Sequence, residues 1–256
     1  MRIQAATLVA ALLASPVHAT NPRELYVAGK FVEAERAALA EGTADGYALA
    51  ARSELAAETM RAEPCMECLK RAEDFALRAI AANPRLVEGH IEYVIAIGFE
   101  ARLIGMVEAH FKGYAEKAKQ HIDAALAVDP DNPWAWAALG NWNIEIAQDG
   151  GRALARLMYG ASVKSGLADF AKAMEAAPDS LVLQYHYALA LAAYDRKAYR
   201  AAIADALTRA DAGEPHSAYD IFAQKCAREL LATWKSGDME TFDRLVRHDQ
   251  GYPGSG

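Results

Sequence analysis

The sequence predicts an all-α fold of stacked helical hairpins, and three observations carry that reading. From Asn21 onward the apolar pattern is helical and strand signals are scarce. Loop punctuation recurs at "ANPR", "DPDNP" and "APDS", each time after a helix whose last turns read alike. Small residues recur at matched heights: Ala79, Ala125 and Ala173 each stand five residues before a proline (Pro84, Pro130 and Pro178). Seven residues earlier stand Ala72, Ala118 and Gly166. Small side chains at i and i+7 share one helical face and let a neighbouring helix approach closely. A proline cannot continue the preceding helix but suits the first turn of the next. Helix pairs built this way stack, each covering the apolar face of the one before.

The stretch "NPWAWAALGNWNIEIA" shows the register best. Counted from Pro133, Trp136, Leu139 and Gly140 fall at the fourth, seventh and eighth positions. This closely resembles the first helix of a tetratricopeptide repeat, with Gly140 admitting the partner helix. In "GKFVEAERAAL", Gly29, Phe31 and Ala34 match the turn and second helix of the same motif. A looser unit follows, with Tyr187, Ala188, Tyr199 and Ala202 as packing positions. The expectation is a tetratricopeptide-like solenoid of four or five irregular, elongated repeats. The spacing is long: Pro84 to Pro130 is 46 residues and Pro130 to Pro178 is 48, against about 34 in an ordinary repeat. The surplus falls in "GFEARLIGMVEAHFKGY" and "QDGGRALARLMYGASVKSG", both helix-compatible and bounded by glycine. After residue 216, one amphipathic capping helix carries a stripe of Tyr219, Phe222, Cys226, Leu230 and Trp234. Residues 248–256 read as a disordered tail.

The first residues, "MRIQAATLVAALLASPVHAT", have a basic start, a short apolar run and a small-residue exit. That is the pattern of a secretory signal cut after Ala19. The domains expected are therefore a signal peptide over 1–19, a repeat domain over 20–247 and the tail. The apolar run is too short to span a bilayer, so no stable membrane anchor is expected. The net charge of −7 becomes −8 in the mature chain, because the signal removes one Arg and no acid. An acidic chain argues against a nucleic-acid partner. A periplasmic or secreted location is the expectation, and there a Cys65–Cys68 disulfide can form. Cys226 is then left unpaired or intermolecular.

Two families share features with this chain. "HIDAALAVDPDNPWAWAALGNWNIEIA", followed by "LARLMYGA" and "GLADFAKAMEAAP", resembles the regulator-of-microtubule-dynamics family over roughly residues 113–194. The resemblance includes the long insertion before the last helix. In architecture the chain is also similar to the periplasmic T component associated with TRAP transporters. That likeness implies a partner role beside a solute-binding or transporter component.

Catalytic constellations are not found. There is no H-E-x-x-H, no phosphate loop and no nucleophile elbow. Cys65-Met66-Glu67-Cys68 opens a helix, where the dipole favours a thiolate. Leu69 follows in place of the His that haem attachment needs. A zinc site would need two further ligands, for which His90, His110 and His121 are available. No metal and no cofactor is assigned. The working surface is read as the concave groove, at Glu88, Ile91, Ile95, Trp134, Asn141, Ile144, Tyr185 and Leu189. These are mostly apolar and suit a partner helix or a hydrophobic ligand. Arg102, Arg152 and Arg156 stand on the insertions as rim contacts. The function expected is a non-enzymatic scaffold or adaptor for an envelope protein complex. A carrier of a small apolar ligand, or a thiol-redox or metal-handling factor through Cys65 and Cys68, are the alternatives. The oligomeric state, a homo-oligomer included, is left open.

Overall fold

The computed structural model describes residues 21–254, so the expected signal over 1–19 lies outside them. Among the described residues there are fourteen helices and no strand. Helices α1 (Pro22–Val27) and α2 (Phe31–Glu41) lead in. Five hairpins follow. The first is α3 (Ala44–Thr59) with α4 (Met66–Ala82). In the second, α5 (Val87–Ile104) is joined through the short α6 (Met106–Phe111) to α7 (Tyr114–Val128). In the third, α8 (Pro133–Asp149) is joined through α9 (Gly151–Tyr159) to α10 (Val163–Ala176). Then come α11 (Leu181–Asp195) with α12 (Arg200–Ala212), and α13 (Ala218–Ser236) with α14 (Met239–Asp249).

Pro84, Pro130 and Pro178 end the preceding helices but lie in turns, three residues before α5, α8 and α11 begin, rather than in the first turn of the next helix. Asn132 caps α8 by accepting from the backbone N–H groups of Trp134 and Ala135, and Pro133 fills the first turn. Asn21 and Pro22 repeat the device at α1. Ala79, Ala125 and Ala173 are all fully buried. Ala79 faces Gly89 of the next helix, where an added Cβ would stand 3.2 Å from the alanine methyl. The tightest crossing joins α8 to α10. A Cβ on Gly140 would lie 2.6 Å from the Phe170 ring and 3.0 Å from the Gly166 carbonyl oxygen. One on Gly166 would lie 2.7 Å from the Gly140 carbonyl oxygen. Two facing glycines thus let the backbones touch while Phe170 fills the flank. Beside them Asn143 donates to Asp169 at 3.0 Å and accepts from the Ser162 N–H at 3.1 Å, so the buried polar groups are paired.

The first helices of successive hairpins, α3, α5, α8, α11 and α13, pack side by side as in a solenoid. The superhelix curls far enough for its ends to meet, since α1 packs on α13. A Cβ on Gly29 would come within 2.8 Å of the Ala218 methyl. The two insertions form α6 and α9. Gly113 and Gly160 turn the chain out of them with left-handed φ of 65° and 67°.

The C-terminal region departs from expectation twice. The cap is a hairpin rather than one helix. Cys226 and Leu230 of α13 are buried as expected, while Tyr219, Phe222 and Trp234 are partly buried. The tail expected over 248–256 begins inside α14, and Gln250 is buried. Gly251 presses on the Phe99 ring, 2.6 Å from where its Cβ would stand. Residues 255–256 lie outside the described chain. The reason is α14 itself, whose Phe242 and Val246 are buried in the main core.

Gly140→Ala should destabilise the fold by about 1–2 kcal/mol, because overpacking outweighs the gain in helix propensity. Gly98→Ala, where nothing lies within 4 Å of the new methyl, should stabilise by up to about 1 kcal/mol. Thermal melts of both variants check the pair.

Candidate functional site

The inner face of the curl is built by α3, α5, α8 and α11, and its floor is polar near the meeting ends. Arg52 Nε donates to Glu92 Oε1 at 2.7 Å. The Glu92 side chain is 4% exposed and that of Arg52 35%, so the carboxylate is covered while the guanidinium keeps partial access to water. Glu92 holds the Arg52 guanidinium firmly protonated. Tyr26 of α1 shares this field. Burial raises its phenol to about 12, so it stays a neutral hydrogen-bonding group. Further along, Tyr219 of α13 meets His186 of α11 at 3.5 Å. Burial, helped by the charge of Arg102, pushes the His186 imidazole down to about 4. Arg102 pairs with Glu145 and ties the end of α5 to α8.

Helix α14 lies against α11 on this face. The Tyr185 hydroxyl donates to Asp249 Oδ2 at 2.8 Å. Arg196 grips Asp243 through Nε at 2.6 Å and Nη2 at 3.0 Å. The chain therefore supplies a helix of its own to the wall where a partner helix was expected. Burial raises the Cys226 thiol beside Tyr185 to about 12, which leaves it an unreactive core group.

The predicted groove residues divide accordingly. Tyr185 and Leu189 are buried in the main core. Ile144 is fully buried, and Ile91 packs between α5 and its neighbours with Ala125 and Ala135. Glu88 and Trp134 are exposed near the starts of α5 and α8. Ile95 and Asn141 are half-buried. Of the eight, only Glu88 and Trp134 are exposed, while Ile95 packs against two small core clusters.

A run of exposed apolar side chains lies outside the predicted groove. Helices α6 and α9 expose Met106, Val107, Phe111, Leu154, Leu157 and Met158, with Phe111 at 84% and Leu157 at 83%. His110 Nδ1 lies 2.9 Å from the Tyr159 hydroxyl and joins the two insertions. Arg152 donates to the Tyr194 hydroxyl at 2.7 Å, and Arg156 is exposed beside it. Both sequence segments had been singled out, but their placement along one edge depends on the stacking.

Cys65 and Cys68 are joined as a disulfide. Glu58 is the one further protein ligand grouped with them among the described residues. His90 and His121 face each other instead, Nδ1 to Nδ1 at 2.8 Å. His90 Nε2 donates to the Pro84 carbonyl at 2.9 Å, so in the neutral ring its Nδ1 accepts from His121. No described helix is long and apolar enough to cross a membrane.

The low pKa of His186 has a consequence for stability. As pH falls from 6.5 through 4, the unfolded chain takes up the proton first. The folded state should lose up to about 3 kcal/mol in that window and nothing above it. Melting temperature against pH should show the fall in the wild type and a shallower one in His186→Gln.

The sequence matches the family described as Regulator of microtubule dynamics protein 1-3 over residues 44–235. No curated protein matches the chain. The matched span runs from α3 almost to the end of α13 and includes both insertions. The chain is therefore a member of the regulator of microtubule dynamics protein 1-3 family.

Proposed function

We propose that this protein is a helical-repeat binding module that holds a protein partner as a scaffold or adaptor, exported to the cell envelope. One observation carries the reading: six large apolar side chains stand exposed along α6 and α9. Monomeric soluble proteins rarely leave such a patch without a partner. Family membership supports an interaction role in general, and tubulin plays no part in the reading. Among the described residues the inner face offers ion pairs and neutral phenols. Arg152 and Arg156 suit an apolar partner segment with acidic flanks. A solute-binding or transporter component would fit such an adaptor.

Charging the patch tests this directly. Phe111→Glu combined with Leu157→Glu should leave melting unchanged, because both side chains already face water. It should abolish capture of the partner that the full-length bait takes from envelope extract. Undiminished capture would count against the patch. Leu189→Glu is unsuitable as a probe, since Leu189 is 3% exposed and a buried charge would unfold the chain. Export has its own test: N-terminal sequencing of the mature protein should begin at Thr20.

A further inference from the structure

Cys65 and Cys68 lie where α3 hands over to α4. Cys65 is the N-cap of α4, and its Sγ accepts from the Cys68 backbone N–H at 3.2 Å. The two sulfurs differ in access: Cys65 is half-buried and Cys68 is buried. Cys65 is the more accessible of the two to an attacking thiol. The helix start favours negative charge on sulfur at that end.

A second, independent feature is Glu58, in the last turn of α3. Its side chain is 3% exposed. Oε1 accepts from the Cys65 N–H at 2.6 Å. Oε2 accepts no hydrogen bond, and the closest cation, Arg61 Nε, stands 3.6 Å from it. A carboxylate oxygen of Glu58 and both sulfurs lie within 4.8 Å of one another. Burial, with the charge of Glu54, raises the Glu58 carboxyl above its ordinary value, against the pull of the Cys65 N–H, Arg61 and Arg71. A disulfide that only pins a loop needs no half-satisfied carboxyl beside it, and burying one is costly. A cleft lined by Glu58, Arg61, Pro64, Phe99, His248 and Tyr252 opens beside Glu58, with neither cysteine in its lining.

The geometry points to a redox-active pair: the Cys65–Cys68 disulfide accepts two electrons from a dithiol reductant, and Glu58 hands a proton to the departing Cys68 sulfur. In the first step a thiolate of the reductant attacks Cys65 Sγ. The bond between the two cysteine sulfurs breaks, and its electron pair leaves on Cys68 Sγ, which takes the Glu58 proton. In the second step the reductant's other thiolate attacks its own sulfur in the mixed disulfide. The electron pair now leaves on Cys65 Sγ, which is protonated from water. The reductant ends as a disulfide, the protein as a dithiol, and Glu58 regains its proton from solvent. In the reverse direction the Glu58 carboxylate removes the Cys68 proton. Cys226 takes no part, being buried elsewhere in the core.

The full mature chain is treated with dithiothreitol across pH 6–9, and thiols are counted by alkylation and mass. The wild type should be reduced while folded and should reoxidise fully. Glu58→Gln keeps the acceptor for the Cys65 N–H and removes the proton. It should slow reduction by about tenfold or more near neutral pH and flatten the pH profile. A disulfide that resists dithiothreitol until the chain unfolds would overturn the proposal. So would a Glu58→Gln protein reduced at the wild-type rate with the wild-type pH profile. Should Glu58→Gln fail to fold, single-cysteine variants decide. Cys65 in Cys68→Ser should form a mixed disulfide with oxidised glutathione about tenfold faster than Cys68 in Cys65→Ser. Equal rates would overturn the assignment.

Discussion

Backbone contact between paired helices is the constraint on which this structure depends. Ordinary helix pairs keep about 8–10 Å between axes, set by the side chains at the crossing. Where Gly140 meets Gly166, nothing stands between the backbones, and Phe170 closes the flank. The fully buried alanines at 79, 125 and 173 serve the neighbouring crossings in the same way. Each contact is small in energy, but it fixes the tilt at which one hairpin sits on the next. Summed over five hairpins, those tilts bring α1 round to α13.

The curl then decides what each surface can do. It gathers Tyr26, Arg52, Glu92, His186 and Tyr219 from five different helices onto the inner face. It leaves room on α11 for α14, which the Tyr185–Asp249 and Arg196–Asp243 contacts hold. It also joins α6 to α9 through His110 and Tyr159, and among the described residues their apolar side chains stay exposed. The inner face is thus partly occupied by the protein's own helix, while among the described residues α6 and α9 keep apolar side chains in water.

How much of this was legible follows from what is local. The recurring small residues and the role of Gly140 are short-range patterns, and each acts where the sequence placed it. The position of α14 was not legible, because Tyr185 and Asp249 are 64 residues apart and neither belongs to a motif. Tyr185 therefore reads as a groove residue although Asp249 of α14 closes on it, and Leu189 is core. The exposure of Phe111 and Leu157 depends on how the insertions leave their hairpins, which helix periodicity alone does not reveal. At the cysteines the pair itself was visible. Its carboxylate partner was not, since Glu58 reaches Cys65 only through the break between α3 and α4.

A nuclear Overhauser measurement between the Hα protons of Gly140 and Gly166 tests the central claim most directly. Backbones in contact at that crossing predict a strong cross-peak between the two glycines. No cross-peak in the folded protein, with assigned and ordered signals for both residues, would contradict the packing from which the curl and its surfaces are derived.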